Sequence, residues 1–141
     1  MKIELITDGN TDLVRAFVAR IGDSAKGFRY FSSRPIDVIS RHVLTLGGLD
    51  ESGEPVCYGH LDPEDGVVWL GICVAEGHKG QGLGRQMMNE LIARAERADI
   101  PQIDLSVDDD NVNAIRLYES CGFLLTESKS GRSYYRRVRS G

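Results

Sequence analysis

Residues 67–74, Val-Val-Trp-Leu-Gly-Ile-Cys-Val, form the most apolar stretch of the chain, and the glycine-rich segment 77–84 follows almost at once. Apolar side chains at successive positions occupy both faces of an extended segment, which predicts a central strand covered on both sides. Leu83, Met87, Leu91 and Ala95 recur at i+4 steps, with Met88 and Ile92 beside them and Glu90, Arg94, Glu96 and Arg97 opposite. Residues 82–99 are therefore expected to form an amphipathic helix. Ile103, Leu105 and Val107 then alternate with polar residues, the period of a strand. A strand, a helix and a second strand in succession make a crossover, so the two strands should run parallel.

The other elements follow from the same reading. Residues 2–7 predict a short first strand, and Leu13, Val14, Phe17, Val18 and Ile21 predict a helix over 11–21 that ends at Gly22. Residues 22–34 read as a loop carrying an aromatic patch, Phe28-Arg29-Tyr30-Phe31, which suits either a hydrophobic plug or a pocket wall. Pro35 suits the first turn of a short helix through Ser40. Residues 43–49 and 55–61 predict strands around the turn 50–53, with a second turn over 63–66 leading into the central strand. Residues 111–121 predict a helix stopped by Gly122, and 123–126 with 133–138 a closing hairpin around Lys129-Ser130-Gly131. The expected architecture is a single α/β (α+β) domain over 1–141, with a mixed, mostly antiparallel sheet of six to seven strands and helices on both faces.

Charge and cysteine content exclude several function classes. The 141 residues carry a formal net charge of −4, against the basic surplus of a nucleic-acid-binding domain. Arg132, Arg136, Arg137 and Arg139 cluster near the end and read as a solvated edge strand and tail. Cys57, Cys73 and Cys121 are odd in number, widely spaced and set in apolar stretches, so neither a disulfide framework nor a metal site is expected. The first residues lack a signal peptide's apolar core, and no stretch approaches the ~20 apolar residues of a membrane helix. A cytoplasmic protein with no membrane or nucleic-acid partner, monomeric or homodimeric, is expected.

A buried strand that runs through glycines into a helix makes an anion site. Helix-entry N–H groups lack internal partners, the helix dipole adds partial positive charge, and glycines let the backbone approach a phosphate closely. Lys79 adds a formal charge. A P-loop read from Gly77 fails because Leu83 stands where its lysine belongs. A dinucleotide fingerprint fails at Arg85 or Met87, according to which glycine it starts from. A tight turn with no ligand stays open on this stretch alone.

Lys79-Gly80-Gln81-Gly82-Leu83-Gly84 resembles the acetyl-CoA motif of the GNAT N-acetyltransferase superfamily, Arg/Gln-x-x-Gly-x-Gly/Ala, with lysine at the leading position. Asn111-Val112-Asn113-Ala114-Ile115-Arg116-Leu117-Tyr118-Glu119-Ser120-Cys121-Gly122-Phe123 resembles that family's second signature, Asn-x-x-Ala-x-x-Leu-Tyr-x-x-x-Gly-Phe. The order of elements resembles the family's fold.

The resemblance implies an enzyme that moves the acetyl group of acetyl-CoA to a primary amine by direct attack. The diphosphate would rest on the backbone N–H groups of Lys79, Gly80, Gln81, Gly82, Leu83, Gly84 and Arg85. The pantetheine arm would lie along Ile72, Cys73 and Val74 like an added strand. Asn111 would bond that arm or simply cap its helix. An N–H near Val74 would stabilise the oxyanion, and Tyr118 would protonate the leaving sulfur. The base stays open among His60 and Asp62, two apart on one strand face, and Glu76. Acceptor pockets of this fold are built by the early loop and the last hairpin, here Phe28, Arg29, Tyr30 and Arg34 with Tyr134. The two arginines suit an anionic acceptor. A small-molecule amine is the expected acceptor. The alternatives are a protein N-terminus or lysine, or a CoA-binding sensor without turnover.

Overall fold

The structure, a computed structural model, describes residues 1–139. Its strands are β1 (Lys2–Leu5), β2 (Leu44–Leu49), β3 (Pro55–Glu64), β4 (Val67–Val74), β5 (Gln102–Asp108), β6 (Leu124–Lys129) and β7 (Arg132–Val138). Its α-helices are α1 (Asp12–Arg20), α2 (Leu83–Arg97) and α3 (Val112–Ser120). One seven-stranded sheet runs in the order β1-β2-β3-β4-β5-β7-β6. Among the described residues only β4 and β5 pair in parallel, as the α2 crossover requires.

Alternation along β3 separates two cores. Cys57 and Leu61 face α2, where Met87, Met88, Leu91 and Ala95 are buried together with Leu105 and Phe123. Tyr58 faces the other way, onto Val14 and Phe17 of α1 and onto Cys73 and Ala75. The α3 residues Ala114, Ile115 and Tyr118 join the α2 core. Helices thus cover both faces of the sheet. Gly59 lets α2 lie close, because a Cβ there would stand 2.7 Å from Met87 Cγ.

Several expectations are corrected. The turn predicted over 63–66 is shorter: β3 continues through Glu64, Pro63 pairs with Val68, and only Asp65 and Gly66 turn, at φ 53° and 79°. Proline is tolerated there because β2 begins opposite Leu61, so no strand on that side needs the N–H of residue 63. The helix expected over 35–40 is a 3-10 helix, Ile36–Arg41, with Pro35 just outside it. The loop over 22–34 winds into 3-10 turns at Gly22–Lys26 and Tyr30–Ser32.

The arginines of β7 do not stand on an edge strand, whereas Arg139 lies on the exposed tail as expected. β7 lies between β5 and β6, which sets its arginines against acids. Arg136 meets Asp104 at 3.0 Å, Arg137 meets Glu96 at 3.0 Å, Arg139 meets Asp99 at 2.9 Å, and Arg132 pairs with Asp108. The edge strand at this end of the sheet is β6, exposed along its length. Among the described residues no helix is long and apolar enough to cross a membrane.

Candidate active site

β4 and β5 are joined at a single register pair, Trp69 with Asp104. Beyond it both strands continue toward their C-terminal ends without pairing, and a cleft of about 760 Å³ opens there. That gap corrects the expectation of a fully covered strand: Trp69, Ile72 and Val74 are only half-buried, because β4 forms the cleft's wall. The strand is central in the sheet order, as expected, yet its β5-facing edge from Ile72 to Val74 is free to pair with an extended ligand.

One end of the cleft is an anion cradle. The backbone N–H groups from Lys79 through Arg85 make no hydrogen bond among the described residues. Gly77, Gly80 and Gly82 hold φ of 86°, 81° and 78°, and a Cβ at each would meet nothing within 4 Å. Those glycines are needed for the left-handed backbone, and they leave its approach open. Gly82 immediately precedes α2, and no side chain caps that helix. The uncapped N–H groups and the positive end of the helix dipole therefore face the cleft. Lys79, Gly80, Gly82, Leu83, Gly84 and Arg85 line it, whereas the Gln81 side chain does not. Arg85 is steadied from α3 by the Ser120 hydroxyl at 3.1 Å.

The middle of the cleft lies between β4 and α3. Asn111 accepts from the Ala114 N–H at 3.3 Å and so caps α3, and it also lines the cleft. Tyr118 lines it from the same helix, with its ring 6.2 Å from Phe123. Burial pushes its phenol up to about 12, with the Cys73 thiol adding to the rise, so it holds its proton throughout the neutral range. Burial likewise pushes the Cys73 and Cys57 thiols up to about 12. Neither is a thiolate at neutral pH, so neither is a ready nucleophile.

The far end is aromatic and polar. Tyr58, His60 and Asp62 share the α1-side face of β3, as the spacing of His60 and Asp62 predicted. Tyr58 and His60 Nδ1 are 2.7 Å apart. Tyr30 comes in from the loop and donates to Asp62 at 2.7 Å, while its ring lies 4.3 Å from that of His60. Arg34 sits over the Tyr30 ring at 4.4 Å, and Phe28 stacks on Tyr30 and packs tilted against Tyr58. Burial drives His60 well below the usual imidazole value, with His42 and Arg34 adding to the fall, so it is neutral. The aromatic patch serves in both expected ways: Phe28 and Tyr30 wall the cleft, and Phe31 plugs the core against Tyr58.

Other predicted residues lie differently. Arg29 is held by Asp108 at 3.2 Å, and Asp108 also takes Arg132. One carboxylate thus faces two guanidinium groups, so a net positive charge stays at this rim of the cleft. Tyr134 reaches the cleft edge-on to Trp69 at 6.3 Å. Glu76 is corrected: its carboxylate takes the Asp23 N–H at 3.3 Å and packs where Gly22 lacks a side chain, outside the cleft lining. Sequence reasoning passed over His42, Tyr58 and Trp69. Tyr58 carried a signal, since it continues the alternation of His60 and Asp62. His42 carried none, because only the fold brings it to Tyr30. Among the described residues no group of His, Cys, Asp and Glu converges as a metal site.

A free strand edge running from a cradle of unpaired N–H groups to a protonated tyrosine can receive an extended ligand with an anionic end. Residues 14–123 match the family model described as the acetyltransferase (GNAT) family. The spermine/spermidine N(1)-acetyltransferase of Bacillus subtilis is 32% identical over 136 residues, spanning 87% of each chain. The [ribosomal protein bS18]-alanine N-acetyltransferase of Escherichia coli is 37% identical over 71 residues, 50% of this chain and 47% of that one. The GNAT domain of S. lividans PAT shares the fold at TM-score 0.83 and 17% identity, covering 97% of this chain and 89% of that one. So does yncA of Salmonella typhimurium, solved with its cofactor acetyl-CoA, at TM-score 0.75 and 20% identity over 98% and 93% of the two chains. This chain belongs to the GNAT acetyltransferase family and is an acetyl-CoA-dependent N-acetyltransferase.

Proposed function

We propose that residues 1–141 act as one domain that acetylates a primary amine of a small, cationic molecule by direct attack, in the cytoplasm where acetyl-CoA is at hand. Acetyl-CoA supplies an electrophilic thioester carbonyl and a thiolate leaving group. The N–H groups of Lys79 through Arg85 hold its diphosphate, with the Lys79 charge beside them. Ile72, Cys73 and Val74 pair with the pantetheine arm along their free edge, and Asn111 adds a side-chain hydrogen bond. The N–H near Val74 bears the negative charge that builds on the carbonyl oxygen. Tyr118 gives its phenolic proton to the departing sulfur.

The acceptor enters from the Trp69 end. At ~3.3 Å per residue, Gly71, opposite His60, lies roughly 7 Å from Cys73, and Trp69, opposite Asp62, lies about 13 Å away. Neutral His60 therefore flanks the amine. Asp62, reached through water, takes the proton released as nitrogen bonds to carbon, because burial disfavours an imidazolium at residue 60. Phe28, Tyr30 and Tyr134 wall this end. Asp62 and Glu64 supply the carboxylates an ammonium would meet at this end, beside the Arg34 guanidinium held over the Tyr30 ring and Arg29 paired with Asp108. The single observation that carries the reading is the unbroken cleft that joins the N–H cradle, the free edge of β4, Tyr118 and Asp62. The polyamine specificity named for the Bacillus subtilis relative supports a small cationic acceptor. A second reading, acetylation of a protein N-terminus, is favoured by the half-length match to the alanine N-acetyltransferase.

Thiol release from acetyl-CoA should be followed with polyamines, amino sugars, amino acids and a peptide with N-terminal alanine. Polyamines are expected to turn over fastest. A peptide outrunning them would favour the second reading, and CoA binding without thiol release from any acceptor would favour a non-catalytic sensor.

A further inference from the structure

Ser24 is 5% exposed, and its hydroxyl is the buried side-chain polar atom without a hydrogen-bond partner among the described residues. An unpaired buried hydroxyl is destabilising, and native structures rarely retain one without use. Ser24 lines the cleft, and its place in the fold identifies which part. The 3-10 turn Gly22–Lys26 that carries it is tied to the end of β4: the Glu76 N–H donates to Ile21 O at 3.2 Å, and the Asp23 N–H donates to Glu76 at 3.3 Å. One turn later, a Cβ on Gly27 would stand 3.6 Å from Asn111 Nδ2 at the start of α3. The turn therefore reaches from the end of β4 to the start of α3, across the gap where β4 and β5 part. The Ser24 backbone is already engaged, its N–H with Ile21 O at 3.2 Å and its carbonyl with the N–H groups of Gly27 and Phe28. Only the hydroxyl is left to reach a ligand.

We propose that the Ser24 hydroxyl is a binding group for the amide-bearing pantetheine arm of the cosubstrate, completing its hydrogen bonding only when that arm lies in the cleft. A hydroxyl suits an amide from either side, since it can donate to the carbonyl or accept from the N–H. The inference rests on acetyl-CoA occupying this cleft and adds to it the roof of the arm's channel, contributed by the loop after α1.

Calorimetric titration of the free protein with coenzyme A and with ADP, which lacks the arm, tests it, alongside thermal unfolding of the unliganded protein. Ser24→Ala and the near-isosteric Ser24→Cys should each weaken coenzyme A about 5- to 10-fold while leaving ADP affinity unchanged. The unliganded Ser24→Ala protein should unfold at the same temperature as wild type or higher, because an unpaired polar group has gone. Unchanged coenzyme A affinity in both variants overturns the proposal, as does a lowered unfolding temperature in the unliganded Ser24→Ala protein, which would mean the hydroxyl is already satisfied. Equal losses for coenzyme A and ADP would also overturn it, by placing the effect at the diphosphate. A wild type that binds neither ligand would remove the cleft assignment itself.

Discussion

The Tyr30 hydroxyl stands 2.7 Å from Asp62 Oδ2 and 2.6 Å from His42 Nε2. A phenol has one proton, and an ionised carboxylate can only accept, so Tyr30 donates to Asp62 and His42 Nε2–H donates to Tyr30. His42 Nδ1 then accepts from the Thr45 hydroxyl at 2.8 Å. Burial lowers the His42 imidazole and raises the Tyr30 phenol, so both remain in the neutral forms this chain of bonds requires.

That arrangement orients Asp62 toward the acceptor. Asp62→Asn should lower kcat/KM for the amine roughly 10²-fold, and Tyr30→Phe about 10-fold, with coenzyme A affinity unchanged in both. Steady-state kinetics with varied amine and calorimetric titration of coenzyme A check both halves. Asparagine at residue 62 with undiminished turnover would remove Asp62 from proton transfer.

Tyr118→Phe should lower kcat roughly 10²-fold while coenzyme A binds as before. Because the phenol is raised to about 12, wild-type kcat should not fall through loss of this proton between about pH 8 and about pH 10. A pH series of initial rates for both proteins is the measurement.

Gly71 tests the acceptor wall by shape. A Cβ on Gly71 would lie 2.5 Å from His60 Nε2, so Gly71→Ala must displace the imidazole. Stability should drop by about 1–3 kcal/mol, the usual range for overpacking. KM for the amine should rise more than KM for acetyl-CoA. Urea unfolding and two-substrate kinetics report the two effects.

His60 also makes stability depend on pH. Its folded value is depressed below 6.5, so the unfolded chain takes up a proton that the folded chain refuses. This contribution is fully favourable above pH 6.5 and is lost as pH falls from 6.5 toward the folded value. Thermal unfolding should show wild type weakening across that window. His60→Asn, which keeps a polar partner for Tyr58 and cannot titrate, should weaken less.

Much of this was legible in advance, for local reasons. The i+4 run from Leu83 to Ala95 and the alternation of Ile103, Leu105 and Val107 fix element type, because a helix and a strand bury side chains at different periods. The glycines at 80 and 82 foretold a backbone open to an anion, and both hold positive φ. Asn111 was expected to suit a helix cap, and it caps α3. The placing of β7 was not legible. A last strand that inserts beside β5 has the same residue pattern as one at an edge, and only its pairing with β5 on one side and β6 on the other tells them apart. Glu76 looked as available as Asp62 until the fold turned its carboxylate to the Asp23 N–H, outside the cleft lining.

By itself the sequence determined what depends on neighbours along the chain: the helices, the strands, the glycine entry to α2, and the two motifs that mark a GNAT acetyltransferase. Tertiary structure decided what depends on partners far apart in the chain. The parting of β4 from β5 beyond Trp69 opened the cleft, the loop after α1 brought Tyr30 to Asp62 and left the Ser24 hydroxyl unpaired, and burial kept His60 neutral. Those features arise from packing and desolvation between distant segments, and local periodicity carries no record of either.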